Sequence, residues 1–243
     1  MTPLDTFIVE NWTTPATVYV DAQVGNVRIH KCRRPSGYYY MSGVNGYIFF
    51  RAPKLLYTTE LQIKQGRNWR MLMVDDPPNW FSMVAFAAAA HGHVLTAGLG
   101  LGLVIHELIK NPNVCAVTVY EHNQDVLDLV IPLISNPHDK LVNYVKGDFF
   151  REATEPVNHY DTIIADVWVT TNREEKEAII PEAFDLATRI RLSRPDIRFD
   201  LHGFVTLSDT QVVPQEIQDL IISIPSLDSV TYGLSLPKLE EDE

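Results

Sequence analysis

Length, composition and charge limit what this chain can be. Its 243 residues, 46% hydrophobic and 21% charged, suffice for one large globular domain, or for one domain with a small appendage, and exclude a disordered or fibrous protein. The formal charge of −11 argues against a partner that is held mainly by neutralising phosphates.

Short aromatic and β-branched segments, separated by Gly, Pro and Asn, fill the chain up to about residue 75. Such segments are typical of strands. They are TVYV (17–20), NVRIH (26–30), GYYYM (37–41), GYIFF (46–50) and WRMLMV (69–74). We therefore predict a small antiparallel β module over residues 1–75 and a separate domain over residues 76–243.

The pattern changes at Asp76. Asp76 followed by Pro77 is typical of a capped helix start, and the predicted helix continues to the alanines at 87–90. Beyond it, strands predicted at 93–97, 114–121, 141–148, 160–166 and 198–205 alternate with helices predicted at 103–110, 123–134, 173–192 and about 215–222. This alternation predicts an α/β, Rossmann-like fold with a mostly parallel sheet, whose ligands bind at the carboxyl ends of its strands.

One nearly uncharged stretch, residues 83–105, is long enough to cross a membrane by the criterion of about 20 apolar residues. Its four glycines and two histidines divide it into helix, strand and loop pieces. We therefore interpret it as a buried strand between two helices and expect no membrane association.

Alternate glycines stand between the strand at 93–97 and the helix that follows it. Gly98, Gly100 and Gly102 allow positive φ angles and leave room for a ligand against the main chain at a helix N-terminus. A dinucleotide site has the spacing G-x-G-x-x-G, whereas the spacing here is G-x-G-x-G, which fits better with a nucleoside-sulfonium ligand that has no pyrophosphate. A tight turn without a ligand is the alternative.

Acidic residues end the next three strands. Glu121 is placed to accept hydrogen bonds from two ribose hydroxyls, and Asp148 with Phe149 to bind the amine and the ring of adenine. Asp166 is placed to steady a sulfonium and to orient or deprotonate an incoming nucleophile, while Trp168 could wall the pocket. The alternatives are a surface glutamate, helix or turn caps, and a core tryptophan.

These motifs resemble the class I S-adenosylmethionine-dependent methyltransferases, in particular their spermidine-synthase-like branch. The resemblance runs from His93 to Asp166, and the β-rich segment before it is similar to the N-terminal β domain of that branch. It implies that S-adenosylmethionine is the cofactor, with Gly98, Gly100 and Gly102 along its methionine and ribose, Glu121 on the ribose, Asp148 and Phe149 on the adenine, and Asp166 as the catalytic residue beside the transferred group. The DDPP turn, the GLGLG loop and the D-x-W at 166–168 also resemble those of phage-encoded or environmental methyltransferase-like proteins.

Two departures from the family pattern keep other functions open. Thr96 stands where many of these methyltransferases have an acid, and the segment after Asp166 lacks the second acid of spermidine synthases. The first hypothesis is therefore methyl transfer to an unidentified acceptor. The alternatives are aminopropyl transfer, and a protein that binds or degrades the cofactor without methyl transfer.

Other expectations concern the helix start, metals, partners and location. A capped helix start explains Asp76, and a gate over the ligand is a compatible extra role for Asp75 and Asp76. The histidines do not have the spacing of a metal site.

The acidic charge favours a small-molecule or polyamine-like acceptor over nucleic acid, and the resemblance allows a homodimer. Two cysteines cannot form a disulfide framework and the first residues do not resemble a signal peptide, so a cytoplasmic location is expected.

Overall fold

The structure is a computed structural model that describes residues 6–8, 13–43, 46–152, 159–166, 185–186, 188–190, 192, 194, 196–201 and 229–230. Its strands are β1 (Thr6–Ile8), β2 (Ala22–Val24), β3 (Val27–Arg34), β4 (Gly37–Gly43), β5 (Gly46–Ala52), β6 (Leu56–Gln65), β7 (Asn68–Val74), β8 (Gly92–Ala97), β9 (Val114–Glu121), β10 (Leu141–Lys146), β11 (Thr162–Ala165), β12 (Arg198–Leu201) and β13 (Ser229–Val230). Its helices are α1 (Pro77–Ala89), α2 (Leu103–Lys110), α3 (Gln124–Val130) and α4 (Phe149–Glu152), with 3-10 helices at Pro15–Val18 and Ile131–Leu133.

The main sheet is parallel throughout, in the order β10-β9-β8-β11-β12. The chain steps from β8 outward to β9 and β10 and then returns to β11 on the other side of β8. In such a Rossmann-like sheet the crevice between the ends of β8 and β11 is the topological switch point, where ligands bind. The predicted α/β class is confirmed, with a Rossmann-like sheet and an additional antiparallel part.

The N-terminal part forms two smaller sheets. One has the order β2-β3-β6-β7 and is antiparallel throughout. The other has the order β1-β5-β4-β13, in which β1 lies parallel to β5. Its last strand, β13, comes from the far C-terminal part of the chain and pairs with β4 through Met41 and Ser42. Residues of the predicted second domain thus complete a sheet of the first.

The strand predicted at residues 17–20 is wrong. Residues 15–18 form a 3-10 helix, because Thr14 caps it through a hydrogen bond from the Ala16 N–H and Pro15 occupies its first turn. The threonine–proline pair is the same kind of start signal that the sequence gives at Asp76. Val18 and Val20 are consequently exposed rather than part of a sheet.

Strand β6 was not among the predicted strands, although it pairs with both β3 and β7. Its polar residues Glu60 and Gln62 are buried because they meet two arginines of β3, with 2.7 Å from Arg34 to Glu60 and 2.7 Å from Arg28 to Gln62. These arginines belong to β3, which is separated from β6 in the sequence by β4 and β5. The local pattern, with Glu60 and Gln62 within it, does not by itself indicate a buried strand.

The helices of the main domain follow the sequence signals closely. Asp76 caps α1 by accepting a hydrogen bond from the Asn79 N–H, and α2 has the predicted bounds. Helix α3 ends at Val130 and passes into a 3-10 turn, since Pro132 cannot donate a backbone hydrogen bond. Residues 185–186, 188–190 and 192 are helical, as expected for part of the helix predicted at 173–192. The helix predicted at about 215–222 lies outside the described residues.

One continuous core joins the N-terminal sheets to the parallel sheet. It includes Ile29, Leu61 and Met73 from the N-terminal strands and Leu99 and Leu101 from the glycine loop. The stretch at residues 83–105 supplies the end of α1, β8, this loop and the start of α2. Among the described residues, no helix combines the length and the apolar character that a membrane crossing requires.

Candidate functional site

A cavity of about 370 Å³ lies at the carboxyl ends of β8, β9, β10 and β11. Its volume falls in the range of about 300–1,000 Å³ that is typical of small-molecule sites. The parallel sheet and its loops contribute Thr96, Ala97, Gly98, Leu99, Gly100, Tyr120, Glu121, His122, Asn123, Gly147, Asp148, Phe149, Phe150, Ile164 and Asp166. The opposite wall comes from helices and from the N-terminal strands, and consists of Leu61, Ile63, Leu72, Met73, Met83, Leu103, Val104 and Val126.

The glycine loop carries two of its glycines into this cavity. Gly98 has φ +85° and Gly100 has φ +53°, both in the left-handed region. At Gly98 a Cβ atom would lie 2.4 Å from the carbonyl oxygen of Asp166, so the absence of a side chain lets the loops after β8 and β11 touch. The switch point is therefore closed at its base by backbone contact.

Gly102 does not lie along the cavity, where the sequence analysis expects it beside the ligand. It is the N-cap residue of α2, it faces Val130 and Ile134, and it is not among the residues that line the cavity. Its role in this structure is to start the helix and to admit the packing of Ile134.

Glu121 points at the glycine loop. Its Oε2 accepts a hydrogen bond of 3.0 Å from the Leu99 N–H, and its Oε1 accepts one of 2.8 Å from the Asn123 N–H. The side chain is 7% exposed and lines the cavity. A carboxylate has about four lone-pair positions, so these two bonds leave acceptor capacity for a ligand. The geometry places a buried negative group directly beside the turn.

Asp148 and Phe149 lie side by side at the end of β10. Asp148 accepts a hydrogen bond of 3.0 Å from the Phe150 N–H, which starts the short helix α4. Phe149 is 4% exposed, and both residues line the cavity. An aromatic face and a carboxylate are thus presented together.

Asp166 follows β11 at the switch point. Its N–H donates to the Ala97 carbonyl at 3.0 Å, its own carbonyl abuts Gly98, and the residue lines the cavity. Trp168, the other residue predicted here, lies outside the described residues.

Asp75 and Asp76 lie near the cavity wall but do not line it. Asp75 accepts hydrogen bonds of 2.6 Å from the Thr14 hydroxyl and 2.6 Å from the Thr59 N–H, which fastens the 3-10 helix to β6. Burial raises the pKa of Asp75, against the lowering effect of these hydrogen bonds. Asp76 accepts from the N–H and the side-chain amide of Asn79, and its burial raises its pKa to about 6. In this structure the Asp75 carboxylate joins two elements, and the Asp76 carboxylate caps α1.

The raised pKa of Asp76 predicts a pH-dependent effect of Asp76→Asn. The folded protein binds the Asp76 proton more tightly than the unfolded chain, so this group's contribution to the free energy of unfolding falls as the pH rises from about 4 to about 6. Asparagine still caps the helix but carries no charge. We expect Asp76→Asn to change stability little at pH 4 and to stabilise the fold by about 1–3 kcal/mol at pH 7.5. Urea unfolding of both proteins across this range measures the difference, and a difference that stays constant with pH contradicts the prediction.

The wall from the N-terminal strands was missed by sequence reasoning. Met73 of β7 is central to it, because its Sδ accepts a hydrogen bond of 3.3 Å from the Leu101 N–H and a Cβ on Gly100 would lie 2.4 Å from the same sulfur. The spacing of Leu61 and Ile63 between polar residues was a signal for an inward-facing strand. Nothing local in the sequence indicated which residues that strand would face.

Tyr19 also ties the N-terminal part to the glycine loop. Its hydroxyl lies 2.9 Å from Nε2 of His106 and 3.3 Å from the Leu101 carbonyl. Burial raises the pKa of Tyr19 and lowers that of His106, so the contact joins a neutral phenol to a neutral imidazole near pH 7. The loop is therefore held from the module side as well as from β9.

The charge of the cavity is one-sided. Glu121, Asp148 and Asp166 line it, and no lysine or arginine is among the described lining residues. The exposed His122 also lines it, with Nδ1 3.4 Å from Oε1 of Glu121. Thr96 lines it too, and its hydroxyl is buried without a hydrogen-bond partner in the described protein. Across the described ranges, no three His, Cys, Asp or Glu side chains gather as a metal site would require. The arrangement suits a cationic ligand with further polar groups.

Comparisons with known proteins give structural likeness only. No protein-family model and no curated protein sequence matches the chain. Among solved structures, a spermidine synthase in complex with the transition-state analogue AdoDATO is 15% identical, with a TM-score of 0.43, over 68% of this chain and 64% of that one. Spermidine synthase from Thermotoga maritima is 14% identical, with a TM-score of 0.40, over 68% of this chain and 62% of that one.

A different enzyme is matched at a similar level. Shikimate dehydrogenase of Mycobacterium tuberculosis is 15% identical, with a TM-score of 0.34, over 67% of this chain and 66% of that one. Of the two spermidine synthases above, the chain spans less than two thirds of the length.

Proposed function

We propose that this protein is a transferase that binds an S-adenosyl compound in the cavity at the ends of β8, β9, β10 and β11, and that it transfers a methyl group to an acceptor. The observation that carries the proposal is the buried carboxylate of Glu121. It is directed at the glycine loop and shares one cavity with Asp148, Phe149 and Asp166.

The described residues fit the parts of such a ligand. Glu121 has acceptor capacity left for two vicinal ribose hydroxyls, which present two donors to one carboxylate. Phe149 offers an aromatic face for a purine, and Asp148 an acceptor for its exocyclic amine.

The charge of the cavity supports a sulfonium over a dinucleotide. Three carboxylates favour a positively charged sulfur and disfavour a pyrophosphate, and the described lining holds no lysine or arginine to offset them. The loop spacing G-x-G-x-G agrees with this preference.

Asp166 is the residue that we propose to act on the acceptor. S-adenosylmethionine, when bound, supplies a methyl group that is already activated by a positively charged sulfur. Asp166, at the switch point, is placed to orient an acceptor amine or hydroxyl and to take its proton. Walls from the N-terminal strands limit the acceptor's approach, and alignment of this kind supplies much of the acceleration in a transfer reaction.

Aminopropyl transfer from decarboxylated S-adenosylmethionine is the second candidate. It is favoured by the absence of lysine and arginine from the described cavity lining, because the decarboxylated donor has no carboxylate that would need a positive partner. The two candidates share the adenosine site and differ only in the tail of the donor.

Calorimetry tests the proposal. We expect S-adenosylmethionine, its decarboxylated form or S-adenosylhomocysteine to bind with one-to-one stoichiometry, and NAD to bind at least about tenfold more weakly, a difference of about 1.4 kcal/mol. Absence of binding by all three adenosyl compounds overturns the proposal. Mass spectrometry of incubations with each donor and putrescine then separates the candidates, since spermidine forms only by aminopropyl transfer. Tight binding with no transferred product from small molecules, nucleic acid or protein favours a binding or cofactor-degrading protein instead.

A further inference from the structure

We propose that Met73 determines the ligand specificity of the glycine loop by keeping phosphate groups away from its backbone. This inference deepens the proposed function, since it concerns the same cavity. It rests on the hydrogen bonds that the loop makes within the protein.

Four N–H groups of the loop, those of Gly98, Leu99, Leu101 and Gly102, are engaged by the protein itself. The Gly98 N–H donates to the Tyr120 carbonyl at 2.8 Å, and the Leu99 N–H donates to Glu121 Oε2 at 3.0 Å. The Gly102 N–H donates to the Leu99 carbonyl at 2.8 Å, and the Leu101 N–H donates to the sulfur of Met73 at 3.3 Å. Glycine turns that bind phosphate use such N–H groups, together with the start of the following helix, as the anion cradle.

Among these bonds, the one to Met73 involves the weakest acceptor. A thioether accepts hydrogen bonds poorly, whereas the other three N–H groups donate to carbonyl or carboxylate oxygens. A phosphate oxygen would be a far better partner for the Leu101 N–H, but the sulfur occupies the place beside it. The contact is close, since a Cβ on Gly100 would lie 2.4 Å from Sδ. Met73 is 7% exposed and is held from behind by the N-terminal sheet.

The consequence is a turn that admits adenosine but not its phosphates. Adenine nucleotides share the adenine and ribose of an S-adenosyl compound, so the contacts of Glu121, Asp148 and Phe149 with these groups do not distinguish the two classes. The carboxylates of the cavity disfavour phosphates by charge, and Met73 adds a steric block at the loop. A neutral thioether over the loop excludes the phosphates by occupying their position and does not oppose a positively charged sulfur. Discrimination by a group that blocks the competing ligand is a general route to specificity.

Met73→Ala tests this inference against a matched control. The probes are ADP and S-adenosylhomocysteine, measured by calorimetry with the full chain. We expect Met73→Ala to raise the affinity for ADP by about tenfold or more and to change that for S-adenosylhomocysteine by less than about threefold. Met71→Ala removes another methionine of β7, one whose sulfur accepts a hydrogen bond of 3.6 Å from Arg34 and which does not line the cavity, and should leave the affinity for ADP unchanged.

The outcomes separate this inference from the proposed function. An ADP affinity that is equally unchanged in both variants, or equally raised in both, overturns the role of Met73. Failure of the wild-type chain to bind S-adenosylhomocysteine overturns the proposed function, while a gain of ADP binding confined to Met73→Ala still supports the block at the loop. Thermal unfolding establishes that both variants are folded at the temperature of the titrations.

Discussion

Replacing Glu121 by glutamine is expected to weaken the binding of S-adenosylhomocysteine by about tenfold or more, since hydrogen bonds to a charged group contribute about 1.5–3 kcal/mol. Glutamine keeps an oxygen that can accept from the Leu99 N–H, so the loop retains its attachment to β9. What is lost is the negative charge, the acceptor of the Asn123 N–H, which then faces the amide nitrogen of glutamine, and the ability to accept two hydroxyl donors at once. Calorimetry gives the affinity, and urea unfolding gives the stability.

Glu60→Gln is the control for this variant. Glu60 is 8% exposed, nearly as buried as Glu121, and is paired with Arg34 at 2.7 Å, but it lies outside the cavity. We expect Glu60→Gln to lower the free energy of unfolding and to leave the affinity for S-adenosylhomocysteine within about twofold of the wild type, a change of well under 1 kcal/mol. If both variants bind alike, Glu121 does not hold the ligand.

The parallel sheet and its acidic strand ends were accessible from the sequence because their signals are local. Strands β8, β9 and β11 are short runs rich in apolar residues, and each of Glu121, Asp148 and Asp166 stands at or just beyond the end of a predicted strand. Carboxyl ends of parallel strands meet at one edge, so the order of the chain already indicated that these side chains share a place. The structure does bring them to one cavity.

The opposite wall of the cavity could not be predicted in the same way. Strand β6 buries Glu60 and Gln62 because the side chains of Arg34 and Arg28 on the neighbouring strand β3 reach them, and such contacts join residues far apart in the chain. Met73 lay in a strand that the sequence predicted, yet its contact with the Leu101 N–H depends on how two sheets pack. Periodicity indicates that a strand has an inner face but not what that face meets.

A pattern of glycines indicates positions where the backbone takes a positive φ or is closely approached by another group. It does not indicate whether that group belongs to a ligand or to the protein itself. Gly98, Gly100 and Gly102 all have positive φ, and the sequence assigned all three to the ligand. In the structure Gly98 admits the Asp166 carbonyl, Gly100 admits the sulfur of Met73, and Gly102 starts α2 against Ile134. The alternation is therefore explained as much by packing within the protein as by a ligand.

Gly98→Ala is expected to destabilise the fold by about 2–5 kcal/mol, the sum of a positive-φ penalty of about 1–2 kcal/mol and an overpacking cost of about 1–3 kcal/mol. The new Cβ would lie 2.4 Å from the Asp166 carbonyl oxygen, and backbone cannot move aside as a flexible side chain can. Hydrogen bonds from the Gly98 N–H to Tyr120 and from the Asp166 N–H to Ala97 hold both sides of the contact in place. Relief of the clash must therefore separate the ends of β8 and β11, which also displaces Asp166 from the cavity.

Gly66→Ala separates the two contributions. Gly66 has φ +61°, and a Cβ there would have no atom within 4 Å, so the variant incurs the conformational penalty alone, about 1–2 kcal/mol. Urea unfolding of both variants gives the difference, which we attribute to the contact with Asp166. In the folded fraction, binding of S-adenosylhomocysteine should be lost in Gly98→Ala and retained in Gly66→Ala. Equal destabilisation with binding retained in both would show that the loops after β8 and β11 can separate freely, and that their contact does not shape the site.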